Sequence, residues 1–298
     1  MEIGRLLTAM VTPFDDEGKV DYEQAGRLAR ALLDSGSDGL VVAATTGEAP
    51  TLSHEEKLRL FATVKEAVDG RGAVLAGTGT NDTAASIELS QEAERAGVDG
   101  LLLTVPYYNK PTQDGLYRHF EAVARATRLP CVLYNIPSRT GVNMTAETTL
   151  RLSRVPNIVG IKEASGDLVQ IARIIDDAGE EFLVWSGDDA MTLPILAVGG
   201  YGVIAVVSHL TGVQMHRIID NYLAGRTEDA AREHRQLLPL MQVLMTAASN
   251  PAPVKYALSQ VGFHVGAPRL PLVEPEGEAA ERIVAELRRH HIDLAVTV

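Results

Sequence analysis

Short apolar runs and amphipathic stretches take turns along the first three quarters of the chain. The runs Leu6–Thr12, Gly39–Ala44, Ala73–Ala76, Gly100–Val105, Cys131–Asn135, Asn157–Ala164, Phe182–Ser186 and Gly202–Val207 are short and rich in aliphatic residues, as buried strands are. Between them Asp21–Ser35, His54–Val68, Thr83–Ala96, Asp114–Thr127, Ala146–Ser153, Leu168–Ala178, Ala190–Val198 and Val213–Leu223 read as helices. Strict alternation of strand and helix predicts an α/β fold, a (β/α)8 TIM barrel; the same alternation also permits an open doubly wound sheet. Beyond Gly225 strand signals stop, and Glu228–Ala248, Pro251–Val261 and Glu276–His290 look helical. We therefore expect a barrel over residues 1–225 and a C-terminal helical appendage over 226–298. Two segments nearly repeat, Gly36-Ser37-Asp38-Gly39-Leu40 and Gly97-Val98-Asp99-Gly100-Leu101. In each a glycine ends a helix and a strand follows at once.

The sixth run carries the most pointed polar residue. Side chains alternate between the two faces of a strand. Ile158, Gly160, Lys162 and Ala164 are thus expected on one face, and Val159, Ile161 and Glu163 on the other. Lys162 would stand among small and apolar neighbours, where a lysine needs either a carboxylate partner or a chemical task. An ordinary lysine, with a pKa near 10.4, is neutral in only about one molecule in a few thousand at pH 7. Burial favours the neutral amine, which can condense with a ketone to a Schiff base.

Composition narrows the partners. Net charge is −12, from 27 lysines and arginines against 39 aspartates and glutamates. That argues against nucleic-acid and membrane-surface roles, which call for a basic face. Cys131 is the only cysteine, so no disulfide framework is possible within the chain, and we expect a cytoplasmic protein. Met1-Glu2-Ile3-Gly4-Arg5 opens no apolar core of signal-peptide length. The uncharged stretch 190–216 is broken by Pro194, Gly199, Gly200 and Gly202, so we expect no membrane span there.

In a barrel the chemistry gathers at the C-terminal ends of the strands. Those ends hold Thr12-Pro13, Thr45-Thr46-Gly47-Glu48, Gly77-Thr78-Gly79, Pro106-Tyr107-Tyr108, Tyr134-Asn135, Lys162, Gly187-Asp188-Asp189 and Ile204. Thr45-Thr46-Gly47 offers amide N–H groups and a hydroxyl to a carboxylate, or is a plain loop. Tyr134, on the face of Val132, is a proton shuttle beside Lys162 or a core tyrosine. Arg139 is a carboxylate clamp or a surface arginine. The start of a dinucleotide loop at Gly77-Thr78-Gly79 fails at Asp82, His54-Glu55-Glu56 lacks the second histidine of a zinc protease, and His290-His291 reads as a solvated face. With no metal-ligand spacing anywhere, we expect metal-free chemistry.

Together these motifs resemble the pyruvate-dependent lyase family of dihydrodipicolinate synthase and N-acetylneuraminate lyase. The likeness covers nearly the whole chain. It rests on Thr45-Thr46-Gly47-Glu48, Pro106-Tyr107-Tyr108-Asn109-Lys110-Pro111, Tyr134-Asn135-Ile136-Pro137-Ser138-Arg139-Thr140-Gly141, Gly160-Ile161-Lys162-Glu163 and Ser186-Gly187-Asp188-Asp189 in order. The resemblance implies a Schiff base on Lys162, proton relay by Tyr134, Thr45 and Tyr108, and substrate contacts from Thr46, Gly47, Arg139, Gly187 and Ile204, with no cofactor. Arg139 points to the branch that condenses pyruvate with L-aspartate 4-semialdehyde in lysine and diaminopimelate biosynthesis. The alternatives are a sibling aldolase acting on a 2-keto-3-deoxy sugar acid and a non-catalytic keto-acid-binding barrel. The likeness also implies a homotetramer of two tight dimers, with Tyr108 entering the neighbour's site. Regulated members bind L-lysine at the tight-dimer interface, where this chain has Ala49, His54, Lys57, Asn81, Ala85 and Tyr107. Lys57 and Ala85 stand where sensitive members have histidine and glutamate, so the implied lysine site is degenerate.

Overall fold

The computed structural model describes residues 3–295; Met1 and Glu2, and the last three residues of the expected appendage, lie outside the described residues. Eight parallel strands close into a barrel in sequence order: β1 (Leu6–Ala9), β2 (Gly39–Val42), β3 (Ala73–Gly77), β4 (Gly100–Thr104), β5 (Cys131–Asn135), β6 (Ile158–Glu163), β7 (Leu183–Ser186) and β8 (Gly202–Ala205). β1 pairs with β8, which excludes the open sheet. The helices are α1 (Tyr22–Asp34), α2 (His54–Val68), α3 (Thr83–Arg95), α4 (Gln113–Arg125), α5 (Pro137–Thr140), α6 (Ala146–Leu152), α7 (Leu168–Ala178), α8 (Thr192–Ala197) and α9 (Ser208–Leu223). After them come α10 (Thr227–Thr246), α11 (Ala252–Gln260) and α12 (Gly277–Leu287). α10 packs on α9 and α12, and α11 on α12 and α9. Residues 190–216 form the end of a 3-10 turn, α8, β8 and the start of α9. Among the described residues no helix is long and apolar enough to cross a membrane.

Local chemistry explains where elements start. Ser53 and Glu56 form a reciprocal capping box on α2, and Asp82 accepts from the Ala84 and Ala85 amides at the start of α3. The repeated glycine-aspartate segment has a task at the barrel floor. Asp38 accepts from the amides of Arg5 and Leu6 at the foot of β1, and Asp99 from that of Val74 in β3. Each aspartate thus ties the start of its own strand to the strand before it.

The core has two layers. Leu7, Val41, Leu75, Leu102, Val132, Tyr134, Trp185 and Ile204 fill the barrel interior. The opposite strand faces, with Leu40, Val74, Leu101, Leu103, Leu133 and Ile161 among them, pack against the helices. One expectation is corrected here. Ile158 does not share the face of Lys162: it packs in the outer layer, while Val159 faces the interior. The pairing of β5 with β6 slips by one residue, Cys131 meeting Ile158 but Val132 meeting Gly160. Such a bulge resets the alternation, and from Gly160 onward the predicted parity of Lys162 and Glu163 holds. Glycine is required at 160 by crowding. A Cβ there would stand 2.2 Å from the Leu183 carbonyl oxygen and 2.8 Å from the Trp185 ring. His290 is a second correction. It is half-buried on Glu286 at 2.9 Å, and only His291 is solvated.

Candidate active site

Lys162 lies at the top of the barrel interior, only 4% exposed. Its Nζ stands 4.3 Å from the centre of the Tyr134 ring, the residue opposite it on β5. Among the described residues no hydrogen-bond acceptor engages that amine. Burial drives its pKa down to about 8, with Asp189 opposing the fall and Arg139 adding to it. Gly187 lies against the lysine stem, where a Cβ would come within 3.1 Å of Cε and 3.2 Å of Cγ. Ile204 closes the interior from β8.

Tyr134 is buried, and burial raises its phenol to about 12, against the pull of Arg139 and the Thr45 side chain. It therefore remains protonated at neutral pH and can give a proton as well as pass one on. Asp189 is a buried carboxyl at about 6, raised by burial and restrained by the Val207 and Val206 amides that it accepts from at 2.7 and 3.0 Å. In the sequence Asp189 marks only a strand end; its electrostatic effect on Lys162 comes from the fold.

A cavity of about 480 Å³ opens above this group. Thr45, Ala49, Lys57, Tyr107, Ile136 and Arg139 are on its wall. Lys162 and Tyr134 are not on that wall; Tyr134 adjoins it through the hydrogen bond between its hydroxyl and the Thr45 side chain. The amide N–H groups of Thr45 and Thr46 have no acceptor among the described residues, while the next two residues are tied down. Gly47 O accepts from the Thr12 hydroxyl at 2.6 Å, and Glu48 N donates to Thr45 O at 3.1 Å. Arg139 sits on the one-turn helix α5, unpredicted because its four residues are too short for a periodic signal. It is exposed and makes no ion pair among the described residues.

Tyr108 is not brought to this site by its own chain. It is 90% exposed, on a backbone with φ +73°. The six positions of the implied lysine site are divided. Ala49, Lys57 and Tyr107 face the cavity, Asn81 donates to Tyr107 O at 3.2 Å, Ala85 is exposed on α3, and His54 bonds Glu92. Burial lowers the Lys57 pKa.

Sequence reasoning missed a second buried lysine. Lys255 of α11 donates to Glu48 Oε1 at 2.9 Å, Thr12 O at 3.0 Å and Ala267 O at 3.1 Å, over the ring of Phe14. Burial lowers its pKa and Glu48 opposes that. All three ammonium protons have acceptors, so Lys255 is a structural cation. Lys162 has none, which separates the reactive amine from the inert one. Asn250, also missed, donates to Thr46 Oγ1 at 3.1 Å. Among the described residues no group of three or more His, Cys, Asp or Glu side chains is placed to hold a metal ion.

Known proteins resemble this chain in sequence and fold. The chain is 57% identical over 295 residues to a 4-hydroxy-tetrahydrodipicolinate synthase of Dehalococcoides mccartyi strain CBDB1, covering 99% of each. It is 61% identical over 287 residues to that of Symbiobacterium thermophilum, covering 95% of this chain and 97% of the relative. Among solved structures, dihydrodipicolinate synthase of Cyanidioschyzon merolae with lysine bound superimposes with a TM-score of 0.95 at 46% identity, covering 96% of this chain and 98% of that one. The chloride-inhibited Acinetobacter baumannii enzyme complexed with pyruvate gives 0.93 at 36% identity, covering 97% and 99%. The model of the dihydrodipicolinate synthetase family matches residues 2–290. A closed barrel with a lone amine at the end of β6, and likeness on that scale over the whole length, make this chain a member of the dihydrodipicolinate synthetase family.

Proposed function

We propose that the protein condenses pyruvate with L-aspartate 4-semialdehyde to 4-hydroxy-tetrahydrodipicolinate through a Schiff base on Lys162. The observation that carries this reading is the Lys162 amine itself, buried, without an acceptor and lowered to about 8. The neutral amine attacks the ketone carbon of pyruvate, water leaves, and a protonated imine remains. The free Thr45 and Thr46 amides receive the pyruvate carboxylate. A methyl proton then departs toward Tyr134 and Thr45, the imine nitrogen takes up the electron pair, and the resulting enamine carbon attacks the aldehyde. The substrate amine displaces Lys162 in the closing step, so the enzyme is regenerated. Borohydride reduction in the presence of pyruvate, followed by peptide mass spectrometry, tests it. Pyruvate should be fixed on Lys162, and label on another lysine would refute the assignment.

Arg139 is read as the clamp for the semialdehyde's carboxylate. Arg139→Ala should weaken use of the semialdehyde by about 1.5–3 kcal/mol, roughly ten- to a hundredfold in kcat/KM. Pyruvate trapping should persist. Unchanged semialdehyde kinetics would return the assignment to a sibling aldolase.

Tyr108 supports a homotetramer of two tight dimers, because a large aromatic held out in solvent is an interface residue in waiting. Mixed Tyr108→Phe and Lys162→Ala subunits should recover activity by exchange if Tyr108 serves the partner's site. We read residues 1–225 as the catalytic barrel, 226–298 as the helical appendage, and the compartment as cytoplasmic.

Feedback by L-lysine should be weak or absent. A bound lysine brings an ammonium that needs a carboxylate, and Ala85 supplies none. Glu56 is no substitute, being taken by Arg269 at 2.8 and 2.6 Å and by the Ser53 amide. Lys57 adds a like charge to the cavity wall. A missing charged partner costs about 2–5 kcal/mol. A lysine titration of the purified enzyme should therefore show no inhibition saturating below about 1 mM, which corresponds to about 4 kcal/mol of binding.

A further inference from the structure

We propose that Lys255 is a positioning residue for the first substrate: paired with Glu48, it sets the shape of the Thr45–Gly47 loop, so that the helical C-terminal part of the chain governs how tightly the keto acid is held. The inference rests on the reading that this loop receives the keto acid's carboxylate.

Backbone bonds from Glu48 N to Thr45 O and from Ala49 N to Ala44 O close the loop, but they do not touch its side chains or the Gly47 carbonyl. Glu48 follows it in left-handed backbone, φ +57°, a conformation that a side chain with a Cβ adopts at a cost and keeps only where its surroundings impose it. What imposes it lies far along the chain. One carboxylate oxygen of Glu48 accepts from Lys255 Nζ at 2.9 Å and the other from the Arg269 amide at 2.8 Å. Both side chains are buried, at 0% and 1% exposure. The same ammonium holds Thr12 O at 3.0 Å, and the Thr12 hydroxyl holds Gly47 O at 2.6 Å. Lys255 therefore grips the loop twice, through Glu48 and through Thr12. Asn250, five residues before Lys255, holds the Thr46 hydroxyl. Thr46, Gly47 and Glu48 are each tied, directly or through Thr12, to residues 250–269, and these ties leave the Thr45 and Thr46 amides free.

A buried ion pair of this kind is a poor device for stability, since an apolar pair of like volume commonly serves as well. Its distinct property is geometry. Three acceptors fix the ammonium in one position, and two donors fix the carboxylate. A loop so held presents its amides in one arrangement, and binding need not order it.

The test uses the full-length protein and two variants. Glu48→Leu combined with Lys255→Met removes both buried charges and keeps apolar volume. Glu48→Gln is milder, leaving Lys255 a carbonyl oxygen. The readout is the pyruvate concentration for half-maximal borohydride trapping on Lys162. In the double variant it should rise at least about tenfold, equivalent to about 1.4 kcal/mol, and by less in Glu48→Gln. The maximal extent of trapping and the KM for the semialdehyde should stay within about twofold of the parent, a split that general loosening of the fold does not produce. Unchanged half-saturation in the variants, or reduced maximal trapping at unchanged half-saturation, would overturn the positioning role. Should the double variant not fold, Glu48→Gln alone decides on the same criterion. Failure of the parent itself to trap pyruvate on Lys162 would remove the reading of the site and this inference with it, an outcome distinct from a trapped parent with indifferent variants.

Discussion

Lys162→Met should abolish both turnover and pyruvate trapping while leaving a folded and more stable barrel. With the amine gone its nucleophile is lost, and Lys255 cannot replace it, being fully engaged by its three acceptors. The gain in stability follows from linkage. The lysine pKa is about 8 in the folded chain against an ordinary 10.5. Between those values the unfolded chain binds more protons, so stability rises with pH through that window. Below pH 8 the amine is charged in both states and the folded chain bears the full penalty of burying it, about 3 kcal/mol. Methionine fills a similar volume without that charge, so the melting temperature at pH 7 should rise by several degrees. Calorimetry of parent and variant checks it, and a lower melting temperature for Lys162→Met would contradict the burial argument. In the parent, the trapping rate at fixed pyruvate should climb as pH approaches 8 and level off above it.

Tyr134→Phe should reduce kcat by about a hundredfold to ten thousandfold, the usual range for a lost proton relay. The ring that lies 4.3 Å from the Lys162 nitrogen remains, so the lysine keeps its apolar cover and its lowered pKa. Slow trapping on Lys162 should survive. A variant with parental kcat would show that solvent or Thr45 moves the protons unaided.

The alternation of strands and helices was legible because each element is long enough to show a period and is bounded by caps and glycines. Lys162, Tyr134 and Thr45 were legible because strand ends in a barrel converge. Ile158 was misplaced because a bulge leaves no mark in a run of aliphatic residues, where either parity looks apolar. Arg139 was named from a motif, but its one-turn helix is shorter than any period. Lys255 and Asn250 were missed for a different reason. Their partners Glu48 and Thr46 lie about two hundred residues away in the chain, and such pairing has no local signal. The one local hint is a lysine inside the apolar stretch Ala252-Pro253-Val254-Lys255-Tyr256-Ala257-Leu258, the same kind of setting as that of Lys162.

Trp185 sits in register with Lys162 and packs where Gly160 leaves room, its indole donating to Gly4 O at 2.9 Å. It is the only tryptophan in the chain. The protein therefore carries a built-in optical reporter on the strand beside its reactive amine, in register with it. The fully buried ring should emit toward the blue, and a red shift should mark the entry of water. Because imine formation attaches a larger group to the residue paired with Trp185, the same emission should follow keto-acid binding in a stopped-flow cell, in the native sequence and with no label attached.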